Sequence, residues 1–137
     1  MLAGLIFVGY EIRQNTTAQR ATAIDGIAMQ RVELNIAGIT DDRLPGLIRR
    51  LGEGALAADF TPDETQRLRL YYITFLRIQE SAERLIRMGV MREEDYNASS
   101  RLFEFPFLHE QWPTLQLNFE QGFIDFLETE VFPLAVR

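Results

Sequence analysis

Residues 61–89, TPDETQRLRLYYITFLRIQESAERLIRMG, give the clearest indication of the fold of this chain. Thr61 and Glu64 have the spacing of a capping box, and Pro62 occupies the first helical position, where a missing backbone N–H costs nothing. Gly89 suits a left-handed C-cap. The pattern therefore predicts one helix with a defined start and a defined stop.

Apolar residues recur along this helix at three- and four-residue spacing. They form one wide stripe: Leu68, Tyr71, Tyr72, Phe75, Ile78, Ala82, Leu85 and Ile86. Over roughly 40 Å of helix, at about 1.5 Å per residue, a stripe this wide has to be buried against other helices. The sequence therefore predicts an all-α protein, a helical bundle with this helix near its centre.

The composition fits one domain and excludes several kinds of site. A chain of 137 residues that is 47% hydrophobic can bury a single core. The absence of cysteine excludes disulfides, thiolate metal sites and cysteine nucleophiles. Residues 102–137 carry one arginine against six acidic residues, the wrong sign for nucleic acid. We therefore expect no nucleic-acid partner.

The first ten residues, MLAGLIFVGY, carry no charge. As a helix they would extend about 15 Å, half of the roughly 30 Å core of a bilayer. Two interpretations are open: a buried core helix, or the C-terminal half of a transmembrane helix completed by upstream residues or by a partner. We favour the second, with these membrane-anchor residues: Leu2, Leu5, Ile6, Phe7, Val8 and Tyr10.

Residues 11–39 continue without proline and change from apolar to amphipathic. A helix that leaves a membrane and joins a bundle would show this change. Arg13 and Arg20 follow the apolar run, which favours a cytoplasmic soluble part by the positive-inside rule. The sequence thus predicts a partial transmembrane anchor over residues 1–12 and a single helical bundle domain over residues 13–137.

Residues 6–16, IFVGYEIRQNT, resemble the end of the N-terminal anchor in a group of small, uncharacterised bacterial proteins. In that group an apolar span ends in a Gln/Glu-Ile-Arg-Gln-Asn-Thr-like signature, matched most sharply here by residues 12–16. GVMREEDYNASS and the segment after Trp112, NFEQGFIDFLE, resemble its later parts. The resemblance implies a membrane-anchored helical domain, and hence the bacterial inner membrane, but neither an activity nor site residues.

Three further helices are predicted. A short one covers residues 45–51, with Asp41 or Asp42 as its N-cap. A second covers residues 92–105 and has acidic residues in its first turn, where the helix dipole favours them. A third begins at a proline and covers residues 113–131.

Candidate catalytic groups are few. His109 is the only histidine, and no G-x-S-x-G nucleophile pattern accompanies it. Glu80 and Glu83 lack the further ligands of a transition-metal site and have the spacing of surface ion pairs with Arg84 and Arg87. We therefore expect no metal, no cofactor and no enzymatic activity; an enzyme that uses His109 is the least favoured hypothesis.

Eight of the fifteen aromatic residues lie within residues 102–137. They either complete the bundle core or form a docking face, since aromatic side chains concentrate at interface hot spots. The candidate partner-docking residues are Trp112, Phe119, Phe123 and Phe126.

Gln79 interrupts the apolar stripe of the central helix two turns after Tyr72. Together they could line a small-ligand pocket between helices. A glutamine that is simply hydrogen-bonded, or that lies at the margin of the stripe, is the other interpretation.

These observations favour a non-enzymatic, membrane-anchored interaction protein that acts as an accessory subunit of a larger membrane complex. Its expected partners are the lipid bilayer, through the N-terminus, and an integral membrane protein or complex. The alternative is a small-ligand-binding or sensor bundle.

Overall fold

The computed structural model of the protein describes residues 2–95 and 101–135, which contain helices and turns but no strand. The helices are α1 (Leu2–Thr40), α2 (Leu44–Gly52), α3 (Pro62–Arg87), α4 (Pro106–Leu115), α5 (Gln121–Phe126) and α6 (Phe132–Ala135). A π-helical turn, Leu127–Val131, joins α5 to α6. The predicted all-α bundle with a long N-terminal helix is confirmed.

Both ends of α3 have the predicted caps. The hydroxyl of Thr61 accepts the backbone N–H of Glu64 at 3.3 Å, and the Glu64 carboxylate accepts the backbone N–H of Thr61 at 2.8 Å. Gly89 has a φ of 73°, and the N–H of Val90 reaches the carbonyl of Leu85 at 2.9 Å, which completes a Schellman motif. These caps fix where the central helix begins and ends.

The second half of α1 runs antiparallel to α3. An ion pair joins Asp41 to Arg67 at 3.2 Å near the start of α3, and another joins Arg20 to Glu94 at 3.8 Å beyond its end. Between these pairs, α1 contributes the buried side chains Ile27 and Leu34 to the core.

The other helices cover the remaining sides of α3. Helix α2 is held by Arg50, whose guanidinium lies 3.0 Å from the Glu64 carboxylate. Helix α4 inserts Phe107, which is fully buried, against Tyr72 at 6.0 Å and Phe60 at 5.6 Å between ring centroids. Aromatic rings from three segments therefore meet on the buried face of α3.

The predicted bounds of the last helix, residues 113–131, are wrong. Helix α4 begins at Pro106, because extended backbone at the residue before a proline favours a helix start there, and it contains Pro113 in its interior. The chain then turns extended at Phe119 and Glu120 before α5 begins.

Two smaller predictions also need correction. The predicted helix over residues 92–105 is absent where the structure describes it: only the 3₁₀ turns Glu93–Asp95 and Arg101–Phe103 form, and residues 96–100 lie outside the described residues. Helix α2 is present, but its N-cap residue is Arg43. Asp41 instead accepts the backbone N–H of Arg43 at 3.0 Å and closes the preceding turn.

Candidate functional site

The first half of α1 projects from the bundle. Every residue from 2 to 19 is exposed, and the first half-buried side chain is that of Arg20. At about 1.5 Å per residue, this projecting segment extends about 27 Å. No described residue covers its apolar start, so the interpretation of this start as a buried core helix is wrong for this chain.

The outer part of the projecting segment, residues 2–10, is apolar on every side. Its large side chains are between 51% and 78% exposed, and they are the predicted anchor residues Leu2, Leu5, Ile6, Phe7, Val8 and Tyr10. In the part of the chain that the structure describes, no helix is both long enough and apolar enough to cross a membrane.

The inner part of the projecting segment, residues 11–19, is polar and weakly helical by composition. The hydroxyls of Thr16 and Thr17 donate back to the carbonyls of Ile12 and Arg13 at 2.9 Å, a contact that slightly destabilises helices. No described residue packs against this part of α1, so it lacks the tertiary packing from which most of the stability of a protein helix comes. A partner protein or another molecule that packs against residues 11–19 would therefore stabilise their helical conformation.

The predicted docking aromatics lie in the chain's own core. Trp112 is 7% exposed, and its indole N–H donates to the Glu128 carboxylate at 2.8 Å. Phe123 is 1% exposed, whereas Phe119 and Phe126 are half-buried beside it. The four rings also pack on one another in sequence, with Phe119 between Trp112 and Phe123 and with Phe126 against Phe123. The structure therefore supports the core interpretation rather than an exposed docking face.

The predicted ligand-pocket residues are closed off as well. Tyr72 is fully buried; its hydroxyl donates to the carbonyl of Leu102 at 3.0 Å, and burial raises its pKa. Gln79 is 3% exposed, and its Oε1 has no hydrogen-bond partner among the described residues. Neither residue lines the groove that the helices do form.

That groove lies between α1 and the outer side of α3. It is open, has a volume of about 540 Å³, and has these apolar lining residues: Leu34, Ala37, Leu44, Leu70 and Ile78. We call it the α1–α3 groove. The sequence did not indicate it, because the register of α1 against α3 is set by tertiary contacts such as the Asp41–Arg67 pair. The sequence signal that could have indicated it is Leu70, a leucine outside the apolar stripe of α3, which the structure leaves 55% exposed.

Polar groups border the α1–α3 groove. The guanidinium of Arg67 lies 3.2 Å from Asp41 and 3.0 Å from Asp63. The phenol of Tyr71, half-buried in the lining, makes no hydrogen bond to a described residue, and burial raises its pKa. Glu33 lines the same groove and forms no ion pair with the described residues. Polar side chains in the lining of the α1–α3 groove are thus available to bind a ligand or a partner.

The histidine serves the fold. Its Nε2 lies 2.9 Å from the carbonyl oxygen of Phe103, and the ring meets Phe132 edge-on at 5.0 Å. His109 is therefore a packed, hydrogen-bonded side chain.

Within residues 2–95 and 101–135, no three acidic or histidine side chains come close enough together to hold a metal ion.

The predicted pairing of Glu80 with Arg84 is wrong. Glu80 is buried and pairs with Arg77 at 2.9 Å, whereas Arg84 pairs with Glu120 at 3.0 Å. The position of α5 was not predictable from sequence, and α5 brings Glu120 within reach. The predicted pair of Glu83 with Arg87 is confirmed, at 3.1 Å.

Comparison with known proteins adds no relative: no protein-family model matches the sequence, and no curated protein or solved structure matches it. Two surfaces of the chain itself remain as functional candidates. They are the projecting segment and the α1–α3 groove.

Proposed function

We propose that this protein is a non-enzymatic interaction protein that the projecting segment anchors at a bacterial inner membrane, where it serves as an accessory subunit of a larger membrane complex. The single observation that carries the proposal is that every one of the apolar residues 2–10 is exposed, on a helix whose second half packs in the bundle.

The energetics favour transfer of this segment out of water. Burial of one large apolar side chain contributes about 1.5–3 kcal/mol. The five aliphatic and phenylalanine side chains of residues 2–8 would together contribute roughly 8–15 kcal/mol, before the cost of immobilisation. A bilayer or the apolar surface of a membrane protein can supply this burial.

The order of residues along α1 matches a membrane interface. Residues 2–10 extend about 14 Å, close to the depth of one leaflet. Tyr10 follows, and tyrosine is enriched at the boundary between hydrocarbon and water. Arg13 comes one turn later, where a long cationic side chain can reach the headgroups. The bundle would then stand above the surface on residues 11–19.

The polar part of the projecting segment supports the role of a subunit. Gln14, Asn15 and Gln19 present amide groups on a helix that the described residues leave bare. A membrane protein that packs along this part of α1 would pair these groups and stabilise a weak helix. The bundle residues support a non-enzymatic role, because His109 and Glu80 both make structural contacts.

Vesicle flotation tests the anchoring. The full chain is mixed with vesicles of phosphatidylethanolamine and phosphatidylglycerol and should float with them. The double variant Leu5→Asp/Phe7→Asp should stay in the soluble fraction, since each charge costs about 2.5–3.5 kcal/mol in the bilayer. The matched control is Leu117→Asp/Leu134→Asp, which changes side chains that are 82% and 68% exposed on the bundle. Equal flotation of the two double variants would contradict the proposal.

Native purification tests the partner. The protein is extracted from its source membranes in mild detergent, and its stoichiometric companions are identified by mass spectrometry. Asn15→Ala/Gln19→Ala should lose these companions and still sediment with carbonate-washed membranes. Retention of every companion by this variant would contradict the proposed contact of the partner with Asn15 and Gln19.

A further inference from the structure

The α1–α3 groove is long enough to hold several turns of a helix. Its lining runs along α3 from Arg67 to Ser81, about 21 Å at 1.5 Å per residue. Leu34 and Ile78 are buried at its base, while Leu70 is 55% exposed. Small molecules bind where most of their surface is enclosed. An open groove of this length suits an extended occupant instead.

The charges around the groove favour a basic occupant. Arg67 is held by two carboxylates, those of Asp41 and Asp63, and Arg77 is held by the carboxylate of Glu80. Both arginines are therefore neutralised from within the chain. Asp63 is shared with Arg43, which lies 3.6 Å from it, so the pairs around the groove contain as many guanidinium groups as carboxylates. The two arginines of the lining, Arg67 and Arg77, are thus both paired within the chain, whereas Glu33 in the same lining forms no ion pair with the described residues.

Glu33 adds an unpaired negative charge to the wall formed by α1. It makes no ion pair with the described residues, and it lies between Met29 and Ile36 on the same face of the helix. Those two apolar side chains are 60% and 54% exposed. Neither Met29 nor Ile36 lines the groove itself; the apolar contact area of this wall comes from Leu34 and Ala37, beside a Glu33 carboxylate that has no ion pair among the described residues.

We propose that the α1–α3 groove binds an amphipathic helix of a partner protein whose apolar stripe is flanked by lysine or arginine. The stripe would rest on Leu70 and Ile78 with anchors three and four residues apart, and a basic side chain would pair with Glu33. The hydroxyl of Tyr71, which makes no hydrogen bond to a described residue, would meet a polar group at the edge of that stripe. This inference deepens the proposed interaction role and rests on it, but it does not depend on membrane insertion.

A pair of labelled peptides tests the proposal. The probe is a fluorescein-labelled peptide of about 14 residues in which leucines form one helical stripe and lysines fill the flanks. The second peptide has glutamate in place of lysine. By fluorescence anisotropy, the full chain should bind the lysine peptide and not the glutamate peptide.

Two groove variants and two matched surface variants locate the binding. Leu70→Ser and Glu33→Lys should each weaken binding of the lysine peptide about tenfold or more, as expected at a contact that dominates an interface. Leu117→Ser and Glu53→Lys make the same changes at exposed positions away from the groove and should leave binding unchanged. Circular dichroism checks that all four variants keep their helical content.

Three outcomes overturn the proposal. They are absence of peptide binding, equal binding of the glutamate peptide, and equal weakening by the groove and surface variants. The four variants leave residues 2–19 unchanged, so vesicle flotation remains an independent readout. If the full chain floats but does not bind the peptide, then the anchoring proposal stands and the groove proposal fails.

Discussion

The buried carboxylate of Glu80 accepts a hydrogen bond from the backbone N–H of Glu120 at 3.1 Å, although the two side chains carry the same charge. The arrangement works because each carboxylate has its own cation: Arg77 pairs with Glu80 at 2.9 Å, and Arg84 pairs with Glu120 at 3.0 Å. Helix α3 therefore fixes the extended turn from which α5 starts.

Replacement of Glu80 should destabilise the fold. Glu80→Ala removes the acceptor of the Glu120 N–H and leaves Arg77 without its carboxylate, and we expect a loss of about 2–3 kcal/mol in the free energy of unfolding. Urea unfolding can be followed by the fluorescence of Trp112, the single tryptophan. The control Glu53→Ala removes an exposed ion pair of 3.9 Å and should cost less than about 0.5 kcal/mol. Equal losses would show that Glu80 has no special role.

Two buried polar groups on α3 should respond in opposite ways. Tyr72→Phe removes the hydrogen bond to the Leu102 carbonyl and should cost about 1 kcal/mol of stability. Gln79→Met removes an amide whose Oε1 has no partner among the described residues, so stability should stay constant or rise by up to about 1 kcal/mol. Denaturant unfolding of both variants measures this. A loss of more than about 1 kcal/mol in Gln79→Met would mean that this amide is satisfied in the folded protein.

Two glycine substitutions should also differ in sign. Gly89 has a φ of 73°, so Gly89→Ala forces a side chain into the left-handed region and should destabilise the protein by about 1–2 kcal/mol. Gly26 lies inside α1 with open space where a Cβ would stand, so Gly26→Ala should stabilise it by about 0.5–1 kcal/mol. Thermal unfolding compares them directly. Equal shifts in Tm would contradict the assigned Schellman cap.

The N-terminal cap of α3 should make stability depend on acid. The backbone N–H of Thr61, with Arg50 beside it, holds the pKa of Glu64 below its ordinary 4.5. A lowered pKa in the folded state stabilises the fold above the unfolded pKa, and this contribution disappears as the pH falls through the folded pKa. Unfolding free energies measured from about pH 6 to pH 3 should therefore decline more steeply in the wild type than in Glu64→Gln. Parallel profiles would show that Glu64 does not contribute.

The sequence predicted what local chemistry determines. The capping box at Thr61, the C-cap at Gly89 and the buried stripe of α3 all depend on residues within a few turns of one another. Predictions from the sequence failed where a segment distant in the chain determines which side chains pair or become buried. Glu80 was assigned to the surface because only the placement of α5 reveals its partner at Glu120.

For the aromatic residues of the segment 102–137, too, the sequence predicted part of the structure and not the rest. Composition revealed the cluster but did not separate core from docking face, because that choice depends on whether α3 offers a surface to cover. Phe123 is buried, and Trp112 finds its hydrogen-bond partner in Glu128, sixteen residues away. The α1–α3 groove escaped prediction for a related reason, since two helices in a particular register form it.

Membrane anchoring by residues 2–10 can be tested site by site, because the chain contains no cysteine. A single cysteine is introduced by Phe7→Cys and labelled with a polarity-sensitive dye, with Thr17→Cys and Leu117→Cys as matched exposed positions on the polar part of the segment and on the bundle. On addition of phosphatidylethanolamine–phosphatidylglycerol vesicles, the dye at position 7 should shift to the blue and become accessible to lipid-borne quenchers, while the other two should not change. An unchanged emission at position 7, equal to that at position 117, would contradict membrane anchoring by residues 2–10.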